Sequence, residues 1–168
     1  MEKEMKTVNF NTIKDGEHFT YNGIEFVRLG KEQEGILCIT AKIWKSLPFD
    51  KDSCNNFEDS FICNELNNGE FITLFNMQDI CIQTVDLTAD NGDKSYGKTN
   101  VYVGLLSADL YRKYRDYIPS YNDWVWLCTP WYCSGNVDVI RYVNTDGTLG
   151  SGGVRGANGV VPTVIFKE

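Results

Sequence analysis

Apolar and polar positions alternate, imperfectly, from Phe19 to Leu29, with Phe19, Tyr21, Ile24, Phe26, Val27 and Leu29 as the apolar set. Alternation of this kind predicts strand, and Asn22-Gly23 in its middle predicts a hairpin turn. Gly35 to Ile43 reads as another strand, built on Ile36-Leu37-Cys38-Ile39-Thr40. A polar, Asn-rich stretch follows, from Asp50 to Asn56. Asp59 to Asn67 predicts a helix: Asp59 or Ser60 caps it, Ile62 and Leu66 share one face, and Asn67-Asn68-Gly69 ends it. Phe71 to Phe75 predicts a further short helical turn, and Ile80 to Val85 a short apolar strand. Asp86 to Thr99 reads as a loop rich in Asp, Asn and Gly.

Ser107 opens a second helix that Pro119 stops. Leu106, Leu110, Tyr114 and Tyr117 or Ile118 form its expected buried stripe, and Arg112, Lys113, Arg115 and Asp116 its wet side. Trp124 to Leu127 and Val137 to Val143 predict strands, and Asn144-Thr145-Asp146-Gly147 a turn. The Gly-rich stretch 150–159 reads as a loop, and Val160 to Phe166 as a closing strand. Two helices with short antiparallel strands and long loops predict an α+β fold. With 168 residues the chain is expected to be a single domain, its first eight residues a flexible tail.

Composition narrows the function classes. A hydrophobic fraction of 42% supports a core and excludes wholesale disorder. The net charge of −7 argues against direct nucleic-acid binding through a basic footprint. The acidity is concentrated early, with a net of −6 over 1–84 and −1 over the remainder. No apolar run approaches the roughly 20 residues of a bilayer span. Met1 to Lys6 shows no apolar signal region, so the reducing cytoplasm is the expected compartment.

Six cysteines therefore need an explanation other than disulfides. Cys38 and Cys81 lie inside apolar strands and read as core residues. Cys128 and Cys133 have C-x4-C spacing across Pro130. Cys63 falls on the first helix away from Ile62 and Leu66, and Cys54 precedes that helix. Two readings stay open. Cys54, Cys63, Cys128 and Cys133 close a structural zinc site that clamps the 50–56 loop and the helix to the Trp-rich loop, with His18 able to replace one thiol. Alternatively they are plain small hydrophobes. His18, the single histidine, otherwise reads as exposed. Asp86, Asp90, Asn91 and Asp93 do not follow the EF-hand order and read as a solvated turn. Trp124 and Trp126 share a face by alternation, expected to lie in the core, whereas Trp131 and Tyr132 fall in a loop as candidate interface anchors.

Four segments carry a resemblance. They are Ser60-Phe61-Ile62-Cys63-Asn64-Glu65-Leu66-Asn67, then Leu105-Leu106-Ser107 with Trp124-Val125-Trp126-Leu127-Cys128-Thr129-Pro130, then Val143-Asn144-Thr145-Asp146-Gly147, and Gly159-Val160-Val161-Pro162. In this order they resemble a family of uncharacterised Firmicute and phage domains. The resemblance implies a C-type-lectin-like fold of the formylglycine-generating-enzyme group. Cys63, Cys128 and Val161 stand where that family has arginine, so any ligand site of those arginines is in doubt here. If the arginines cluster in the family, Cys63 and Cys128 are expected to lie close together.

The chain is also similar to streptococcal-prophage type II anti-CRISPR proteins, which inhibit Cas9. That implies a non-enzymatic cytoplasmic phage protein whose partner is a host protein, Cas9 in the first instance. An acidic domain suits such a target, because Cas9 guides nucleic acid through positively charged channels. Glu32, Glu34, Asp50, Asp52, Glu58 and Asp59 are the expected contacts. A ligand-binding lectin-like module of a phage tail or surface protein is the alternative.

Overall fold

Asn22 and Gly23 both take positive φ, 48° and 86°, and join β1 (His18–Tyr21) to β2 (Ile24–Glu32) in the tight hairpin their types favour. The computed structural model describes residues 8–168. The expected tail lies largely outside these residues, and Val8, the first of them, packs against the core.

The chain forms a single α+β domain of mostly strands. β2 pairs with β3 (Gly35–Thr40), and β3 with the last strand, β13 (Thr163–Phe166). Two short strands, β5 (Ile80–Cys81) and β8 (Val103–Gly104), share the other edge of β13. A second sheet runs β11 (Leu149–Gly153), β10 (Val139–Val143), β9 (Val125–Pro130), β12 (Ala157–Val160) and β4 (Lys45–Pro48). β6 (Gln83–Asp86) and β7 (Lys98–Val101) form a separate ribbon. Among the described residues no helix is long and apolar enough to cross a membrane.

Every residue of β3 is buried, and the two-residue period divides them between two cores. Ile36 and Cys38 join a cluster with Phe26, Ile62, Leu66 and Phe166. Leu37 and Ile39 join another with Leu106, Tyr111, Val125 and Ile165. The first sheet is therefore covered on both faces, which explains its near-continuous apolar strands. Phe166 anchors the first cluster, its ring centroid 5.2–6.1 Å from those of Phe10, Phe19, Tyr21, Phe26 and Phe75. Gly35 lets the backbone of β13 approach, since a Cβ there would lie 2.2 Å from the Phe166 carbonyl oxygen.

Helix α1 (Phe61–Asn68) starts where its cap residues put it. Ser60 Oγ accepts from the Cys63 amide at 3.2 Å, so Ser60 and not Asp59 is the cap. The Gly69 amide closes the other end on the Glu65 carbonyl. Helix α2 (Ala108–Lys113) begins after Ser107 but is shorter than expected, passing into a 3-10 turn over Arg115–Tyr117. Its buried side is Ala108, Tyr111, Tyr114 and Ile118, while Tyr117 is exposed.

Three expectations need correction. The segment 80–85 divides at exposed Ile82 into strands of two different sheets. The expected loop up to Thr99 ends earlier, because β7 begins at Lys98. The Gly-rich 150–159 stretch is mostly strand. β11 pairs with β10, and the Tyr142 ring lies where Cβ atoms at Gly150 and Gly152 would be, 2.7 and 3.1 Å away. The glycines serve ring packing and not loop flexibility.

Candidate functional site

Cys38, Cys63 and Cys128 sit in one apolar cluster. Cys133 is also buried, and Cys54 and Cys81 are half-buried. Cys128 lies mid-strand in β9 with no exposed surface. The Cys54 thiol donates to the Asn56 carbonyl at 3.5 Å, and the Cys133 thiol to the Asp93 carbonyl at 3.7 Å. Burial pushes the Cys63 thiol up to about 11 and the Cys128 thiol up to about 12, and raises those of Cys54 and Cys133. Among the described residues no group of three or more His, Cys, Asp or Glu side chains is placed to hold a metal ion. The four thiols are not gathered into one ligand set, and His18 is exposed, 3.7 Å from Glu25.

A buried amide ties together the loops that the zinc reading would join. Asn55 has no exposed surface. Its Nδ2 donates to the carbonyls of Tyr132 and Val139, both at 2.9 Å, and more weakly to Asn136 at 3.4 Å. Its Oδ1 accepts from the Tyr96 hydroxyl at 2.6 Å, and its backbone amide donates to the Val137 carbonyl. One side chain thus ties the 50–56 loop to the 131–139 loop and to the 87–97 loop. Burial, with the thiols of Cys133 and Cys54 nearby, raises Tyr96 to about 12, so its hydroxyl remains a donor.

The six candidate acidic residues divide. Asp50 is buried: its Oδ1 accepts from the Phe61 amide, and its Oδ2 from the amides of Asp52 and Cys54. It takes the first free amide of α1 and shapes the loop, which corrects its expected role as a surface contact. Glu32 is enclosed by Lys113 Nζ at 2.6 Å and the Tyr114 hydroxyl at 2.5 Å. Burial acts to raise its carboxyl, but these hydrogen bonds outweigh it and hold Glu32 below the usual range. Glu34, Asp52, Glu58 and Asp59 are exposed. Asp52 and Asp59 line an open hollow with Cys54, Tyr96 and Val137, above Asp50. A larger hollow, ≈ 590 Å³, lies between the β6–β7 ribbon and α2. Its carboxylates are already partnered: Glu32 with Lys113, Asp86 with Thr88, Asp90 with Arg141 and Asp109 with Arg112.

Trp124 and Trp126 do share a face, since both meet the ring of Tyr142. Trp126 is in the core as expected and donates to the Leu47 carbonyl, but Trp124 is not: it is 46% exposed and stacks on Tyr142 at 5.1 Å. Trp131 is 39% exposed beside the Arg141 guanidinium. Tyr132 is half-buried, and its carbonyl is taken by Asn55.

Three of the four quoted motif groups converge on one cavity of ≈ 110 Å³. Leu106, Val125, Leu127, Val143 and Val161 line it from within. Asn144 to Gly147, Arg115 and Asp123 also border it. The Arg115 guanidinium lies against the Tyr111 ring at 5.6 Å and so close to Gly147 that a Cβ there would be 2.1 Å from it. Hydrogen bonds from Thr148, and then the charge of Arg115, hold the Asp146 carboxyl below its usual range. Sequence reasoning missed Asn55, Tyr96 and Arg115. Asn55 looks like its neighbour Asn56 in a polar run, and Arg115 looks like the rest of a wet helix face.

No protein-family model, no curated protein and no solved structure matches the chain. Its function has to be read from its own side chains.

Proposed function

We propose that the chain is a non-enzymatic phage or prophage binding protein that presents the acidic 50–59 loop to a basic, nucleic-acid-handling host protein in the bacterial cytoplasm. Cas9 is the partner the sequence resemblance implies, and a C-type-lectin-like scaffold is the finer fold that goes with it. One observation carries the reading: Asp52, Glu58 and Asp59 are exposed on a loop that buried Asn55 and Asp50 hold rigid. A loop already ordered loses little entropy on binding, and its charges can steer a positively charged partner. Exposed Val137 beside the hollow supplies apolar contact. The reading needs no zinc and no contact to nucleic acid.

The test is co-elution with guide-loaded Cas9, followed by DNA cleavage with the protein in excess. Retained complex and lost cleavage, both weakened by Asp52→Lys and Asp59→Lys, are expected. Normal cleavage across several Cas9 orthologues would reject the Cas9 assignment. Trp124 stacked and exposed on Tyr142 favours a second reading, a ligand-binding module, because such a platform suits a flat ligand face.

A further inference from the structure

The cavity between β9, α2 and the 144–147 turn is independent of the acidic loop. One part of its lining is aliphatic, from Leu106, Val125, Leu127, Val143 and Val161, with the Tyr111 ring beside it. Ser120, Asn144 and Thr145 add to the polar part of the lining, so the cavity is open to water and pairs an aliphatic wall with polar partners. At ≈ 110 Å³ it is smaller than the roughly 150 Å³ apolar cavity that accepts benzene, which suits a branched aliphatic group of about four carbons. Charged groups border the aliphatic part: Arg115, Asp123 and Asp146. Among the described residues Arg115 forms no ion pair. Arg115 is exposed, and its guanidinium lies against the Tyr111 face and beside Gly147, whose carbonyl accepts from the Tyr111 hydroxyl at 2.8 Å. A guanidinium over an aromatic face with its hydrogen-bond donors free can receive a carboxylate. The two carboxylates beside it suit a cation on the same ligand.

We propose that this cavity binds an apolar α-amino acid of the leucine class. The branched side chain packs on the aliphatic wall, the ligand carboxylate meets Arg115, and its ammonium faces Asp123 and Asp146. A ligand of so few atoms is expected to bind in the micromolar to millimolar range.

The experiment is calorimetric titration of the intact protein with L-leucine, 4-methylpentanoate and 3-methylbutylamine, alongside intrinsic fluorescence, since Trp126 lines the cavity. Leucine is expected to bind and to change the fluorescence, and each single-charge analogue to bind about tenfold more weakly. Arg115→Gln is expected to weaken leucine and the acid but not the amine. Val143→Phe, or Val161→Leu if the first does not fold, is expected to weaken all three. No leucine binding at millimolar concentration would overturn the proposal, as would binding that the cavity-filling variants leave unchanged.

Discussion

The hydroxyl of Tyr96 donates a 2.6 Å hydrogen bond to the buried Oδ1 of Asn55, whose Nδ2 is turned toward the carbonyls of Tyr132 and Val139. Three chain segments meet at this amide, and none could be buried there with its polar groups unpaired. Asn55→Ala leaves these groups without partners and is expected to cost about 2–4 kcal/mol in denaturant unfolding. Tyr96→Phe removes one bond and is expected to cost about 1 kcal/mol. Asn55→Asp, which sets a carboxylate against carbonyl oxygens, is expected to be worse than alanine at neutral pH. Equal small losses in all three would mean that the clamp is not structural.

Asp50 and Asp59 are nine residues apart and play opposite parts. Asp50→Asn keeps the shape but weakens three charge-assisted hydrogen bonds, with an expected loss of about 1.5–3 kcal/mol. Asp59→Asn removes an exposed charge and is expected to leave the melting temperature unchanged while weakening partner binding, more so at low salt. Thermal unfolding beside a binding titration separates the two effects.

Glu32 makes stability depend on acid pH. Its folded carboxyl titrates below its usual 4.5, so its stabilisation is present above that value and is lost as pH falls through the lower folded value. Wild type is therefore expected to melt above Glu32→Gln at pH 7, with the gap closing below pH 4.5. A gap that stays constant across this range would assign the effect to shape and not charge.

Thiol accessibility follows burial. In the folded protein an aromatic disulfide reagent is expected to label Cys54 and Cys81 first, and Cys38, Cys63 and Cys128 only on unfolding. Chelator treatment is expected to leave the melting temperature unchanged, because Asn55 supplies the clamp. A chelator-induced drop, with stoichiometric zinc in the purified protein, would restore the four-thiolate site.

Gly→Ala within a strand ordinarily stabilises by about 0.5–1 kcal/mol, but Gly35→Ala is expected to destabilise by about 1–3 kcal/mol, because the added carbon meets backbone of β13. Equilibrium unfolding measures it.

Where a signal is local, the sequence determined the outcome. Asn22-Gly23 specifies the first hairpin, Ser60 and Ser107 start the helices, and Asn144 to Gly147 turn the chain, because each rests on backbone preferences within a few residues. The alternation of Trp124 and Trp126 likewise put both on the face that meets Tyr142. Tertiary structure alone decided that the Gly-rich 149–153 and 157–160 segments are strands, since their hydrogen-bond partners and the Tyr142 ring lie outside any local window. It also decided which of two adjacent asparagines becomes a buried clamp, which acidic residues stay free, and that Arg115 borders a partly aliphatic cavity. Those roles depend on burial and on partners up to 84 positions away, and residue type carries no record of either.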